Sequence, residues 1–453
     1  MSTAISSGRF SGEQQAWFEA ACAFVSGDDL RRIVMAMTAI PSPAGGELEL
    51  AEYVAGELSD GGVEAVCQRI EGKQANAVAR RSGDGTGPSL MLYAPIDMHI
   101  AGNPVEDGPW IDFSGRPDLI PKPLADGDYV IGLGAENPKG HAACVVAATR
   151  AIARAGIPLR GDLIAGLGGG GMPVNKSPDP SIRQPGVGHG VGCAFMLEHG
   201  YQPDFAVIAK PGGAVAHEEV GLCWFEIAVH GDFNYAGIGL RPGGRNPILD
   251  AATVIAKLQA WFPQYTAHNT SGLVAPRGSI SAIEGGWPEK PAFVPETCKI
   301  FVDLRVSPRT DPLEAQRQLD EALDAIRAAE PGIRIERTMI LAIPGTSTPP
   351  DNWIVASSVK AWEMIEGRPH VPRTGTSGAT DANILRGHGV PTARIGMGQL
   401  GADAPFAGRF SMGVVSVRAM EQLTRSLIAI AIDTCTRSRT DVGLEAKERT
   451  RSS

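Results

Sequence analysis

The sequence predicts an α/β protein in which a sheet-and-helix domain is split along the chain around a smaller α+β domain. Three observations carry this. The run Ser89-Leu90-Met91-Leu92-Tyr93 has strand character and ends at Ala94-Pro95-Ile96-Asp97-Met98-His99. The stretch YVIGLGAENPKGHAACVVAATRAI takes a short strand into a Gly-rich turn and leaves it as a helix; Arg160-Gly161-Asp162 then opens the next strand, LIAGLG, at βαβ spacing. From His217 the order changes to strands and helices of an α+β unit, and after Met339 it returns to the first pattern.

Residues 11–26 read as an amphipathic helix with Ser11 as N-cap, and a second helix over 28–37 is broken by Ile40-Pro41-Ser42-Pro43. A third helix is expected over 47–60, then strands over 63–69 and 75–81. After the Ser89 strand comes a proline-rich excursion, 102–126, carrying Trp110. The helix from Lys139 runs to about Ala155. Residues 168–192 read as a loop, because Gly168 to Gly171 accept almost any backbone dihedrals and a Pro/Ser/Asp tract follows. A helix over 191–199 leads to PDFAVIAKPGG, a strand ending at Lys210-Pro211.

In the α+β unit EVGLCWFEIAVHGDF is a strand, NPILDAATVIAKLQAWF a helix, CKIFVDLRVSP a strand and DPLEAQRQLDEALDAIRAA a helix. In the last of these, Ala315, Leu319, Ala322, Leu323 and Ile326 recur at helical spacing as a buried face. The chain closes with a helix NWIVASSVKAWEMI, a loop PRTGTSGATDANILRGHG, a strand PTARIGM and a helix over 415–436. These readings divide it into an N-terminal helical extension (1–27), a first part of the α/β domain (28–216), the inserted α+β domain (217–339), a second part of the α/β domain (340–437) and a charged tail (438–453).

The 453 residues carry a net charge of −9 with no long basic run, so a nucleic-acid or anionic-membrane partner has no electrostatic footprint. No apolar stretch approaches the about 20 residues of a membrane helix. The N-terminus lacks the basic-then-apolar order of a signal peptide, and a cytoplasmic location is the expectation. Seven scattered cysteines, an odd number without CxxC pairing, argue against a disulfide framework.

In its Pro95-Ile96-Asp97 and Gly132-Leu133-Gly134-Ala135-Glu136-Asn137-Pro138-Lys139-Gly140-His141 segments, taken with the order of elements, the chain resembles the M20 family of co-catalytic zinc amidohydrolases and metallopeptidases. That family includes carboxypeptidase G2-like enzymes, acetylornithine and succinyl-diaminopimelate deacylases and aminoacylases. The resemblance covers about Arg31 to Thr436. It implies an M20-like fold with an inserted lid or dimerisation domain, a homodimer or higher homo-oligomer, and hydrolysis of a C–N bond in a small molecule.

The family's metal ligands, however, fall on residues that do not bind metal. Its first His falls on Pro95 and its bridging Asp on Asn137. Its base-and-ligand Glu pair falls on Gly171-Met172, its next acidic ligand on Lys210, and its C-terminal His near Pro405. An ammonium would repel a zinc ion a few ångströms away. The lid drifts likewise: the family's substrate-contacting His falls on Tyr235 and its Asn on Ala292, while Asp303, Arg305, Asn246-Pro247-Ile248 and the 378–382 loop keep the scaffold.

The expectation is therefore an M20-like hydrolase with a metal-independent site acting on a polar or anionic substrate. Candidate catalytic residues are Lys210, Asp97, His141 and Tyr235; candidate substrate-binding residues are His99, Glu136, Asn137, Arg373, Thr374, Ser377 and Arg409. No cofactor is expected. A lysine desolvated among apolar walls can act as a base or polarise a carbonyl, and an ion pair of Lys210 with Asp97 filling the vacated metal place is the bland alternative. A rebuilt single-metal site, zinc or manganese on Asp97, His99, Glu136 and His141, stays open at this point. So do a binding homologue without catalysis and a lyase or isomerase using Lys210, His141 or Tyr235. No Gly-x-Ser-x-Gly elbow or Cys–His pair supports a standard nucleophile, and Gly168 to Gly171 lack the Gly-Lys-Ser/Thr of a phosphate loop.

Overall fold

A computed structural model describes residues 10–174, 188–407, 409 and 411–446. Residues 175–187 of the expected 168–192 loop and 447–453 of the expected tail lie outside the described residues. The described residues form two compact units, one within 10–217, 348–372 and 380–446, the other of residues 218–347 and 373–379.

In chain order the larger unit has helices α1 (Gly12–Cys22), α2 (Gly27–Ala39) and α3 (Leu48–Asp60), then strands β1 (Glu64–Glu71), β2 (Gln74–Arg81) and β3 (Leu90–Pro95). Helix α4 (Lys139–Arg154), β4 (Leu163–Gly168), α5 (Val191–Glu198) and β5 (Phe205–Ala209) follow. The smaller unit contributes β6 (Gly221–His230), α6 (Pro247–Asn269), β7 (Gly278–Gly285), β8 (Thr297–Val306), α7 (Pro312–Ala329) and β9 (Arg334–Ile343). The larger unit then resumes with α8 (Trp353–Glu366), α9 (Ala382–Gly387), β10 (Thr392–Ile395) and α10 (Val417–Cys435).

The six-stranded sheet of the larger unit has the order β1-β2-β4-β3-β5-β10. The pairs β4–β3, β3–β5 and β5–β10 are parallel, and β1–β2 and β2–β4 antiparallel. Strands β3, β4 and β5 are buried at every residue, which is why they read as continuous apolar runs instead of alternating ones. Helix α4, poor in charge for the same reason, is buried over most of its length. The register sets Pro95 opposite Gly168 and Ile395 opposite Ala209, so these strands finish level with one another. The segments Ile96-Asp97, Gly169–Met172, Lys210 and Gly396-Met397 therefore leave the sheet together at its carboxyl edge, where α/β sheets place their chemistry.

The smaller unit is a four-stranded antiparallel sheet, β7-β8-β6-β9, with α6 and α7 packed on it. Alternate residues of β6 and β8, among them Phe225, Ile227, Ile300 and Val302, meet Val254, Leu258, Leu319 and Leu323 in one core. Helix α6 runs past its expected end at Phe262 and through Pro263, because the buried side continues with Tyr265 and Asn269. Strand β7, Gly- and Ser-containing and largely exposed, has no apolar period in sequence and was not expected. Helix α9 is a short turn of helix inside the expected 372–389 loop.

Candidate active site

Four buried acceptors meet the amides of the loop that follows β4. Gly169 N–H donates to Asn76 Oδ1 at 2.9 Å, Gly170 to Glu47 Oε1 at 3.0 Å, Gly171 to Asp97 Oδ1 at 2.9 Å and Met172 to Asp97 Oδ2 at 2.7 Å. Gly45 N–H adds a second bond to Glu47 Oε1 at 2.6 Å. Buried amides need acceptors, and here the protein's own side chains fill what would otherwise be an anion cradle. Tyr93 Oη donates to Asp381 Oδ2 at 2.6 Å beside the same loop. Burial first, and then the charge of Asp97, push Glu47 up to about 8; Asp97 is likewise raised, chiefly by burial against the pull of the Met172 amide.

A second cluster lies across the carboxyl edge. Lys210, leaving β5, is anchored by its own N–H to Ile395 O at 3.1 Å, and its Nζ donates to Asn137 Oδ1 at 3.0 Å. Gly396 permits this approach: a Cβ there would stand 1.8 Å from Lys210 O. The Glu136-Asn137 turn is held from behind by Met412, whose carbonyl accepts both N–H groups at 3.0 and 3.1 Å. Gly134 enters the turn at φ 75°, where a Cβ would lie 2.5 Å from Met98 Sδ. At the start of α4 the buried His141 gives its Nδ1–H to Glu136 O at 2.8 Å, while its Nε2 accepts from Met397 N–H at 3.3 Å. Burial, against the Glu136 bond, presses His141 down to about 3, so it is a neutral imidazole. Lys139 is fully buried, donates to Ile40 O at 2.6 Å and is pressed by burial to about 7.

The sequence-predicted residues thus divide. Lys210, Asn137 and Glu136 come together. Asp97 is bound instead to Gly171 and Met172, and the contact expected between Asp97 and Lys210 is replaced by Lys210–Asn137; the ammonium reaches Asp97 as charge at longer range. His141 is committed on both ring nitrogens. His99 and Arg409 are exposed. Tyr235, Arg373, Thr374 and Ser377 belong to the smaller unit: Tyr235 is 47% exposed and packs on Phe293, Arg373 and Thr374 are exposed, and Ser377 Oγ accepts from Arg277 N–H at 3.2 Å. Sequence reasoning passed over Glu47, Asn76 and Tyr93. The four consecutive glycines were the available signal, since a run of bare amides at a buried strand end demands acceptors.

A profile of the M20-type peptidase dimerisation domain matches residues 217–330. Over 431 residues the chain is 22% identical to N-formyl-4-amino-5-aminomethyl-2-methylpyrimidine deformylase of Bacillus subtilis (strain 168), covering 88% of this chain and 92% of that protein. Human carnosine dipeptidase 1 superposes with a TM-score of 0.68 at 12% identity, over 94% of this chain and all of that one. A dinuclear metal-binding M20 peptidase of Bacillus subtilis does so with 0.58 at 15% identity, over 91% and 99%. This chain has the M20 peptidase fold.

The M20 fold implies a metal pair, and the residues present here do not fit one. Pro95 has no donor. Asn137 offers a neutral amide whose oxygen already takes Lys210 Nζ, so a fixed cation stands where a metal would need to bind. A side chain at Gly171 would begin with a Cβ 2.7 Å from Asp381 Oδ2 and 2.9 Å from Pro95 Cβ, so a carboxylate has no room there. The rebuilt single-metal set fails as well: both oxygens of Asp97 and both nitrogens of His141 are engaged elsewhere. Among the described residues no group of three or more His, Cys, Asp and Glu side chains is arranged to hold a metal ion.

Proposed function

We propose that this protein hydrolyses an amide-type C–N bond in a small polar or anionic molecule, with Lys210 taking over the charge that metal ions supply elsewhere in the M20 fold. The observation that carries this reading is Lys210 Nζ held at 3.0 Å on Asn137 Oδ1 at the carboxyl edge of the sheet. Lys210 is buried, with 8% of its surface accessible, so its ammonium is desolvated. An oriented cation in such a place stabilises the oxyanion formed when water adds to a carbonyl, a contribution of about 10²- to 10³-fold for a single well-placed donor.

Asp97, Glu47 and His141 are positioning groups in this reading, fixing the loop after β4 and the turn before α4. The deformylase similarity makes an N-formylated aminomethylpyrimidine a reasonable first substrate, with N-acetyl and N-carbamoyl amines beside it. A homodimer formed through the smaller unit and a cytoplasmic location complete the proposal; no helix among the described residues is long and apolar enough to cross a membrane.

The test is product release from these three amide classes by the purified protein, before and after chelation, together with Lys210→Ala. The expected result is turnover that survives chelation and falls at least about 10²-fold in the variant, with an unchanged melting temperature and circular dichroism. An unchanged kcat/KM in Lys210→Ala would remove the lysine from the mechanism, and loss of turnover on chelation would return it to metal chemistry.

A further inference from the structure

We infer that Glu136 is the general base and acid of this site, a catalytic role moved from the end of β4 to the turn before α4. The inference rests on the hydrolase reading above. It begins from a steric fact: the β4 end, at Gly171, has no space for a carboxylate side chain. The remaining acids nearby are held by the fold and buried. Asp97 accepts two amides, Glu47 Oε1 accepts two, and Asp381 accepts from Tyr93.

Glu136 differs from all three. Its backbone is pinned at both ends, N–H to Met412 O and carbonyl to His141 Nδ1–H, so the residue is held without using its side chain. Its carboxylate makes no hydrogen bond among the described residues and stays partly accessible. It adjoins Asn137, which carries Lys210 Nζ. Burial raises it to about 7 while the Lys210 charge draws it down, so both protonation forms exist near neutrality, as an acid–base catalyst needs. Of the other ionisable side chains around this turn, His141 is neutral, and Lys139 is buried and committed to Ile40 O.

The step balances without a further reactant. The Glu136 carboxylate takes one proton from water as the water oxygen bonds to the carbonyl carbon, and the carbonyl electron pair moves onto the oxygen facing Lys210. When the carbonyl re-forms, the C–N bond breaks, its electrons leave on nitrogen, and that nitrogen takes the proton from Glu136. The products are a carboxylic acid and an amine, and Glu136 is again a carboxylate.

The experiment compares wild type, Glu136→Gln and Glu136→Asp on N-formyl-4-amino-5-aminomethyl-2-methylpyrimidine and on N-acetyl and N-carbamoyl amines, following kcat and KM across pH. The expected result is a kcat loss of about 10²- to 10⁴-fold in Glu136→Gln with little change in KM, partial recovery in Glu136→Asp, and loss of the acid limb of the profile. Infrared difference spectra give an activity-free readout: a carboxyl band that titrates near neutrality in wild type and is missing from Glu136→Gln. Turnover in Glu136→Gln within threefold of wild type, with Lys210→Ala inactive, overturns this inference and leaves the hydrolase reading standing. No turnover by wild type on any of the three classes overturns both.

Discussion

Glu47 and Asp97 on one side, Lys210 and Glu136 on the other, stand near the same edge of one sheet and are treated in opposite ways. The first pair is fully buried and its oxygens are spent on loop amides, Glu47 Oε2 excepted. The second pair keeps solvent access, and the Glu136 carboxylate has no bond among the described residues. Full burial against loop amides makes a structural joint; partial exposure with a free lone pair makes a reagent. Position at the strand ends alone does not tell the two apart, because both clusters satisfy it.

The comparison breaks first if Asp97 proves dispensable. Asp97→Ala leaves the Gly171 and Met172 amides buried without acceptors, and an unfolding free energy lower by about 3–5 kcal/mol is expected. Urea denaturation reads this directly. A midpoint equal to that of wild type would mean that the loop finds other partners and that the structural assignment of this cluster is wrong.

A smaller effect is expected at Gly171. Its Cβ would fall 2.7 Å from Asp381 Oδ2, so Gly171→Ala should cost roughly 1–3 kcal/mol from overpacking. Calorimetric titration of Gly171→Glu with zinc should show no gain in affinity over wild type, since Lys210 keeps its place. Tight zinc binding by that variant would reveal a metal site dormant in the fold.

A third test reads the electrostatics of the buried pair. Glu47 is raised from the ordinary carboxylate value to about 8. Such a group favours folding fully below its unfolded pKa, and that contribution is lost as pH climbs through the folded one. Thermal melts of wild type minus Glu47→Gln should therefore show a stability difference that shrinks from about pH 4.5 to about pH 8. A difference flat across that window would mean that Glu47 is ionised throughout.

Much of the fold was legible because its cause is local. The apolar runs of β3, β4 and β5 announce strands covered on both faces, and the alternation in β8 announces a sheet covered on one. The misses have local causes too: β7 carries glycine, serine and exposed residues with no period, and the apolar face of α6 overrides Pro263. At the site, Lys210 and Asn137 could be named from motif position. Glu47 could not, since a glutamate before a helix reads as an ordinary helix start, and only the fold brings it to Gly170.

By itself the sequence determined most of the order of elements and the identity of the residues at the strand ends, including a lysine and an asparagine in place of acids. Only the tertiary structure decided which of those residues are consumed and which remain available. Hydrogen-bond satisfaction is a property of neighbours brought from distant segments: Gly171 sees Asp97 and Asp381, and Lys210 sees Asn137, through the register of parallel strands and the turn before α4. No single stretch of chain encodes that register, so the division between joint and reagent had to be read from the folded molecule.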